Sequence, residues 1–110
     1  RERAKKMAMQ IKQNIYSYGE GYSNWAMLML NWTYPNYEVA ISGHDAEEVF
    51  NEFNAVYYPN LYYSWSSKES TLPLQENRFN KKETLIYICQ GNVCQLPTTN
   101  TKEAWSLLKK

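Results

Sequence analysis

The sequence has few cysteines, histidines and glycines, and each shortage excludes a class of site. Its 110 residues include two Cys, one His and four Gly. Two cysteines are too few for the disulfide scaffold of a small secreted domain. A four-ligand zinc site would need more donors than these residues supply, and the glycines do not follow the pattern of a dinucleotide loop or a P-loop. We therefore assign no catalytic residue and no metal ligand, and we expect no cofactor.

The sequence also has no strong charge of one sign and no long apolar run. Its formal net charge is +1, so no broad basic surface is available to bind nucleic acid or an anionic membrane. The longest apolar run, Trp25 to Leu30, is far shorter than the ~20 residues that span a bilayer. We expect neither nucleic acid nor a membrane as a partner, and we expect a cytoplasmic protein.

Two helices are predicted in residues 1–34, which we interpret as a helical hairpin. Residues 1–18 carry apolar side chains at steps of three and four, which is typical of an amphipathic helix. A second helix is predicted from Ser23 to about Trp32, and its sequence is apolar all round. Such a helix requires protein on every side. Since the chain also begins inside a charged helix, without Met, we expect a piece of a larger protein, in which these exposed helices contact absent parts or a second copy in a homodimer.

Residues 35–110 are predicted to form a small α/β module that begins with a βαβ unit. Tyr37–Ser42 is a β-rich run, and Asp45 with Glu48 fits a capping box at the start of the next helix. That helix carries one apolar face and Leu61–Trp65 follows it as the second strand. The apolar face is made of Ala46, Val49, Phe50, Phe53 and Tyr57.

A β-hairpin and a last helix complete the predicted module. Thr84–Cys89 has the strongest β-propensity in the chain, and Gly91-Asn92 is a two-residue turn signal before a strand over 93–96. Asn100 with Glu103 fits a second helix start. The predicted fold is α/β, with a mixed sheet of about four strands in the order 61–65, 37–42, 84–89, 93–96, the last antiparallel and the others parallel. The long connection between the second and third strands has Leu72, Leu74 and Phe79 as its predicted anchors.

Cys89 and Cys94 are the first candidate site, because the predicted hairpin places them directly opposite each other. Pairs of this kind bring Cα atoms to about 4.5 Å, at the short edge of the range that a disulfide spans. Three interpretations stay open: a reduced pair of small core residues, a reversible and easily reduced disulfide, or a metal site.

His44 is the second candidate, because it follows the first strand and precedes a helix. Open α/β sheets often bind ligands at such positions. The simpler interpretation is a solvent-facing loop histidine, since a lone His is weak evidence for a site.

The order of four segments resembles the C-terminal end of the thioredoxin-domain-containing proteins related to spermatogenesis-associated protein twenty. These segments are Tyr37–Gly43, Tyr58–Asn60, Leu72–Leu74 and Tyr87–Thr98, the last with its Cys-x4-Cys and Pro-Thr pair. The resemblance implies a longer parent protein with a thioredoxin-like domain and a helical toroid of the six-hairpin glycosidase or sugar-epimerase type. This chain would then supply the last toroid helices and the α/β module after them.

Three functions follow as hypotheses. The first is a non-catalytic structural or interaction module whose partner is the remainder of the parent protein. The second is a redox-responsive element that uses Cys89 and Cys94. The third, implied by the resemblance alone, is part of a sugar-processing enzyme, in which Tyr18, Tyr22 and Trp25 would lie near the toroid mouth, although aromatics at helical spacing are more often core.

Overall fold

The computed structural model describes residues 1–34, 36–91 and 93–108, and the chain divides into two compact units, Arg1–Pro35 and Asn36–Lys110. The predicted break at Pro35 and the second turn residue, Asn92, lie outside the described residues.

The first unit consists of short helices. These are α1 (Glu2–Gln10), α2 (Lys12–Ser17), a 3₁₀ turn (Glu20–Tyr22) and α3 (Ser23–Thr33). The single helix predicted over residues 1–18 is therefore wrong. It is interrupted at Ile11, whose N–H donates to the Ala8 carbonyl at 3.3 Å. This i→i−3 bond tightens the end of α1 into a 3₁₀-type turn before α2 begins.

Helix α3 was predicted within one residue at its end. None of its residues is buried, and Met27 and Leu30 are 61% and 53% exposed. The three aromatics assigned to the first unit's core are not buried either: Tyr18 is exposed, and Tyr22 and Trp25 are half-buried.

The second unit is a four-stranded mixed sheet with two helices, so the α/β fold class is confirmed. Its strands follow the order β2-β1-β3-β4, as the sequence predicted. Their bounds, with those of the helices, are β1 (Tyr37–Ser42), α4 (Ala46–Asn54), β2 (Leu61–Ser66), β3 (Leu85–Gln90), β4 (Val93–Cys94) and α5 (Thr101–Leu107).

The direction of β3 differs from the prediction, because β3 runs antiparallel to β1 rather than parallel. Ser42, at the end of β1, pairs with Ser66 at the end of β2 and with Leu85 at the start of β3. The connection from β2 to β3 therefore leaves and returns at the same end of the sheet. It contains no helix long enough to carry the chain back along the strands, which a parallel β3 would require.

One face of the sheet packs against both helices and forms the core. Val39, Ile41, Ile86 and Ile88 point to this face and are at most 1% exposed, and α4 adds Phe53, which is fully buried. These side chains share one face because alternate residues of a strand point to the same side of the sheet. Tyr57, predicted to join them, is 88% exposed because α4 ends at Asn54, before reaching it.

The connection between β2 and β3 covers the second face. Its central residue, Gln75, is 1% exposed, and its Nε2 donates to Ser64 Oγ at 3.0 Å and to the Ile41 carbonyl at 3.4 Å. Leu72, one of the predicted apolar anchors, is instead 63% exposed. The Gln75 amide, hydrogen-bonded to polar groups of the sheet, holds this segment in place. The pattern of apolar residues in the sequence could not have identified this contact.

The two predicted helix caps have different outcomes. Asn100 Oδ1 accepts from the Lys102 and Glu103 N–H groups at 2.9 and 3.4 Å, as an N-cap should. Asp45 is at the N-cap of α4 but its side chain makes no cap hydrogen bond. Its own N–H donates to Thr84 Oγ1 at 3.0 Å, so a contact with the segment before β3 replaces the predicted capping box.

Candidate functional site

Cys89 and Cys94 are joined by a disulfide across the β3–β4 hairpin. The predicted register is confirmed: Gln90 pairs with Val93, and Cys89 pairs with Cys94. The two Cα atoms are 3.9 Å apart, closer than the roughly 4.5 Å expected of a directly opposed pair. The structure thus contains a disulfide rather than a reduced pair, and the reversibility of that disulfide stays a prediction.

The two cysteines differ in their access to solvent. Cys89 lies between Glu38 of β1 and Cys94 of β4 in the sheet and is 1% exposed. Cys94 is on the short outer strand β4 and is exposed. The disulfide therefore has one sulfur-bearing residue in the interior and one at the surface.

Arg78 contacts both cysteines from the connection that covers the second face. Its Nη1 donates to Cys89 Sγ at 3.5 Å and its Nη2 donates to Cys94 Sγ at 3.3 Å. The planar guanidinium thus spans the disulfide with its two terminal nitrogens. Arginine keeps its positive charge at any physiological pH, so a fixed cation lies against this pair.

Local structure fixes the position of Arg78. Residues 72–77 form a turn, in which the Gln75 N–H donates to the Leu72 carbonyl at 2.7 Å. Asn77 ends this turn with a φ of 59°, a left-handed conformation that Asn adopts more readily than most residues. Arg78 follows directly, and its N–H donates to the Gln75 carbonyl at 3.2 Å.

Tyr87 holds the other side of the arginine. The guanidinium carbon lies 4.9 Å from the centre of the Tyr87 ring, in the range of a cation–π contact. The Tyr87 hydroxyl donates to the Arg78 carbonyl at 3.4 Å. Because Tyr87 and Cys89 are two residues apart on β3, they point to the same face, and Arg78 lies over both.

This arrangement is suited to thiol–disulfide chemistry. A cation beside a cysteine stabilises the thiolate, which is both the nucleophile and the leaving group in disulfide exchange. The bond also closes a very short loop, since the cysteines are five positions apart. In the chain-entropy account such a loop contributes about 2 kcal/mol to folding stability, so its loss is small beside the contribution of the core.

His44 is not part of this site. It is exposed and packs edge-to-face on Phe79 with ring centroids 5.4 Å apart. It follows Ser42 at one end of β1, whereas Cys89 pairs with Glu38 at the other end. The rise from Glu38 to Ser42 alone is about 13 Å. The structure therefore does not bring the two sequence candidates together.

Burial raises the pKa of the Tyr63 hydroxyl above its ordinary value of 10.0. Tyr63 packs edge-to-face on Phe50 on the core face of the sheet, whereas the cysteines and Arg78 lie on the second face. This shift accordingly belongs to the core and has no part in the candidate site.

A metal centre has no support in the described part of the chain. Within residues 1–34, 36–91 and 93–108, no three His, Cys, Asp or Glu side chains are grouped so that they could hold an ion. Among the same residues, no helix is long and apolar enough to cross a bilayer.

Sequence reasoning identified the cysteine pair but missed Arg78. Arg78 is eleven residues before Cys89 and sixteen before Cys94, inside a polar connection without a motif. The only local signal was Asn77, a residue that tolerates the left-handed conformation ending a turn, and this signal does not reveal where the next side chain points.

Comparison of the chain with protein-family models, with curated proteins and with solved structures finds no match.

Proposed function

We propose that the unit Asn36–Lys110 is a redox-responsive module whose Cys89–Cys94 disulfide forms and breaks reversibly. The observation that carries this proposal is the contact of Arg78 with both sulfur atoms, at 3.5 and 3.3 Å. A purely structural disulfide in a core needs no such cation. The surface position of Cys94 gives an exchanging thiol a route to the bond.

The proposed cytoplasmic location makes reversibility relevant. Cytosolic thiols keep most disulfides reduced, and those that form there are usually transient. Loss of this bond leaves the sheet and its two-helix core in place, because the core residues lie on the opposite face. We expect reduction to free the β3–β4 edge without unfolding the unit, so the reduced and oxidised forms present different surfaces to a partner.

The test is thiol counting followed by redox titration. We expect protein purified without reductant to contain no free thiol, and treatment with dithiothreitol to release two. Equilibration in glutathione buffers should give one reversible two-electron transition between about −320 and −220 mV, the range of cytosolic poise. Circular dichroism at each potential should remain that of a folded α/β protein.

Two results would contradict the proposal. A pair of thiols that resists oxidation would leave a structural module, and a transition far below the cytosolic range would mean a permanent disulfide. The Cys89→Ser/Cys94→Ser double variant is the matched control, and it should fold but show no transition.

A structural or interaction module is the second candidate, favoured by the absence of buried residues in the apolar helix α3. Met27 and Leu30, both more than half exposed, would be covered by the remainder of a parent protein or by a second copy of this chain. This function is compatible with the redox proposal if the disulfide controls the contact. Participation in sugar processing stays a prediction about the parent protein, and it has no support beyond the resemblance.

A further inference from the structure

We propose that Cys94 is the residue attacked by an external low-molecular-weight thiol, and that Arg78 is a positioning residue that stabilises the departing Cys89 thiolate. This inference rests on the proposed function, because it specifies how the reversible disulfide is opened and closed. It assigns a modification site, S-thiolation of Cys94, and it divides the roles of the two cysteines.

Access decides which sulfur is attacked. The incoming thiolate must approach a sulfur atom along the line of the disulfide bond. Cys89 is 1% exposed and has a neighbouring strand on each side. Cys94 is exposed on β4, the outermost strand of the sheet. An approach to Cys94 along this line comes from the outer edge of the sheet, whereas an approach to Cys89 comes from the side of β1, over Glu38.

The step balances as a simple exchange. The external thiolate forms a new bond to Cys94 Sγ, the Sγ–Sγ bond breaks, and its electron pair leaves on Cys89 Sγ as a thiolate. The product is a mixed disulfide on Cys94 and a free thiolate on Cys89. A second external thiolate attacks the external sulfur of the mixed disulfide, which releases Cys94 as a thiolate and forms the external disulfide. In the oxidising direction, the Cys94 thiolate attacks an external disulfide and releases one external thiolate, and the Cys89 thiolate then attacks Cys94 Sγ of the mixed disulfide and expels the other.

Arg78 is placed to act on the leaving thiolate. Its Nη1 is 3.5 Å from Cys89 Sγ before the bond breaks, so the cation is present as negative charge develops there. A thiol with a lower pKa leaves faster, and a neighbouring cation lowers that pKa. Two further titratable side chains lie on the same face of the sheet as Cys89: Glu38, its cross-strand neighbour, and Tyr87 on its own strand.

The geometry suits arginine rather than lysine. Nη2 contacts Cys94 Sγ at 3.3 Å while Nη1 contacts Cys89, and the guanidinium also lies on the Tyr87 ring. Lysine carries its charge on a single nitrogen and cannot place one nitrogen on each sulfur while a planar cation lies on the ring. Arg78→Lys therefore keeps the positive charge but loses the contact of two nitrogens with two sulfurs. Arg78→Gln loses the charge as well as this contact.

The experiment follows the reaction of the oxidised chain with reduced glutathione, quenched with acid and resolved by peptide mass spectrometry. We expect the first glutathione adduct on Cys94. We expect Arg78→Gln to slow the reaction about tenfold, because the departing Cys89 thiolate loses its neighbouring cation, and Arg78→Lys to slow it less. Arg3→Gln, at an exposed arginine of α1, should react at the rate of the unaltered chain.

A second measurement separates an effect on the thiolate from a general loss of structure. In the Cys94→Ser variant, the pH dependence of alkylation reports the pKa of the Cys89 thiol, which should rise when Arg78→Gln is added. In the Cys89→Ser variant, Cys94 should react with glutathione disulfide at least about ten times faster than Cys89 does in the Cys94→Ser variant.

Different results would contradict this inference and the proposed function. An adduct found first on Cys89, or an Arg78→Gln variant that reacts at the normal rate with an unchanged Cys89 pKa, overturns the inference while leaving a reversible disulfide. A chain whose disulfide glutathione never opens overturns the proposed function itself.

Discussion

Replacing Gly43 with alanine is expected to lower the free energy of unfolding by about 4 kcal/mol, the sum of backbone strain and overpacking. Gly43 has a φ of +146°, a conformation that residues with a Cβ rarely adopt. A Cβ there would lie 2.5 Å from Thr84 Cα and 2.9 Å from the Glu83 carbonyl oxygen. Both of these are backbone atoms, so no side-chain rotation relieves the overlap.

The matched control is Gly91→Ala. Gly91 also has a positive φ, +57°, but a Cβ there would meet nothing within 4 Å. We expect a loss of about 1 kcal/mol, from the left-handed backbone alone. Urea denaturation followed by circular dichroism measures both variants. Equal losses at the two glycines would show that the close approach of Gly43 to the segment before β3 is not tight.

Replacing Phe53 with alanine is expected to lower the free energy of unfolding by about 4 kcal/mol, the usual cost of removing a buried aromatic side chain. Phe53 is fully buried and stacks on Trp105 of α5 with ring centroids 4.8 Å apart. It thereby joins the two helices that cover the sheet. Its truncation leaves a cavity where α4, α5 and the sheet meet.

Two further variants, one at Phe53 and one beyond the end of α4, make this result interpretable. Phe53→Leu keeps most of the side-chain volume and should cost about 1.5 kcal/mol or less, which provides a folded variant if Phe53→Ala does not fold. Tyr57→Ala removes an aromatic that is 88% exposed and should change the free energy of unfolding by no more than about 0.5 kcal/mol. If Tyr57→Ala cost as much as Phe53→Ala, the assignment of the core would be wrong.

The strands were predictable because local signals specified them. High β-propensity identified β1 and β3, and the short turn signal after Gln90 set the hairpin register. The direction of β3 was not predictable in the same way. It depends on where an eighteen-residue connection returns to the sheet, and that path is held by the buried amide of Gln75, which carries no periodic signal.

Of the candidate site, the cysteine pair was predictable from local sequence signals, and the position of Arg78 was not. The cysteines belong to a hairpin, in which sequence spacing determines which residues face each other. Arg78 reaches them from another segment, through a turn, a tyrosine ring and the packing of the connection. At Asp45 a local signal was misleading. The sequence predicted a capping box there, but the Asp45 N–H donates to Thr84 in a distant segment instead.

The shortness of β4 also bears on unwanted association. After Cys94 the chain stays beside β3, with Gln95 N–H donating to the Ile88 carbonyl and an isolated bridge joining Ile86 to Thr98. The stretch between these bonds contains Pro97, which has no N–H to offer. This edge of the sheet, beside β3 and β4, is a poor template for the addition of a further strand. The opposite edge, β2, is a regular six-residue strand without proline, so among the described residues of this unit the proline that disfavours strand addition lies at the β4 edge and not in β2.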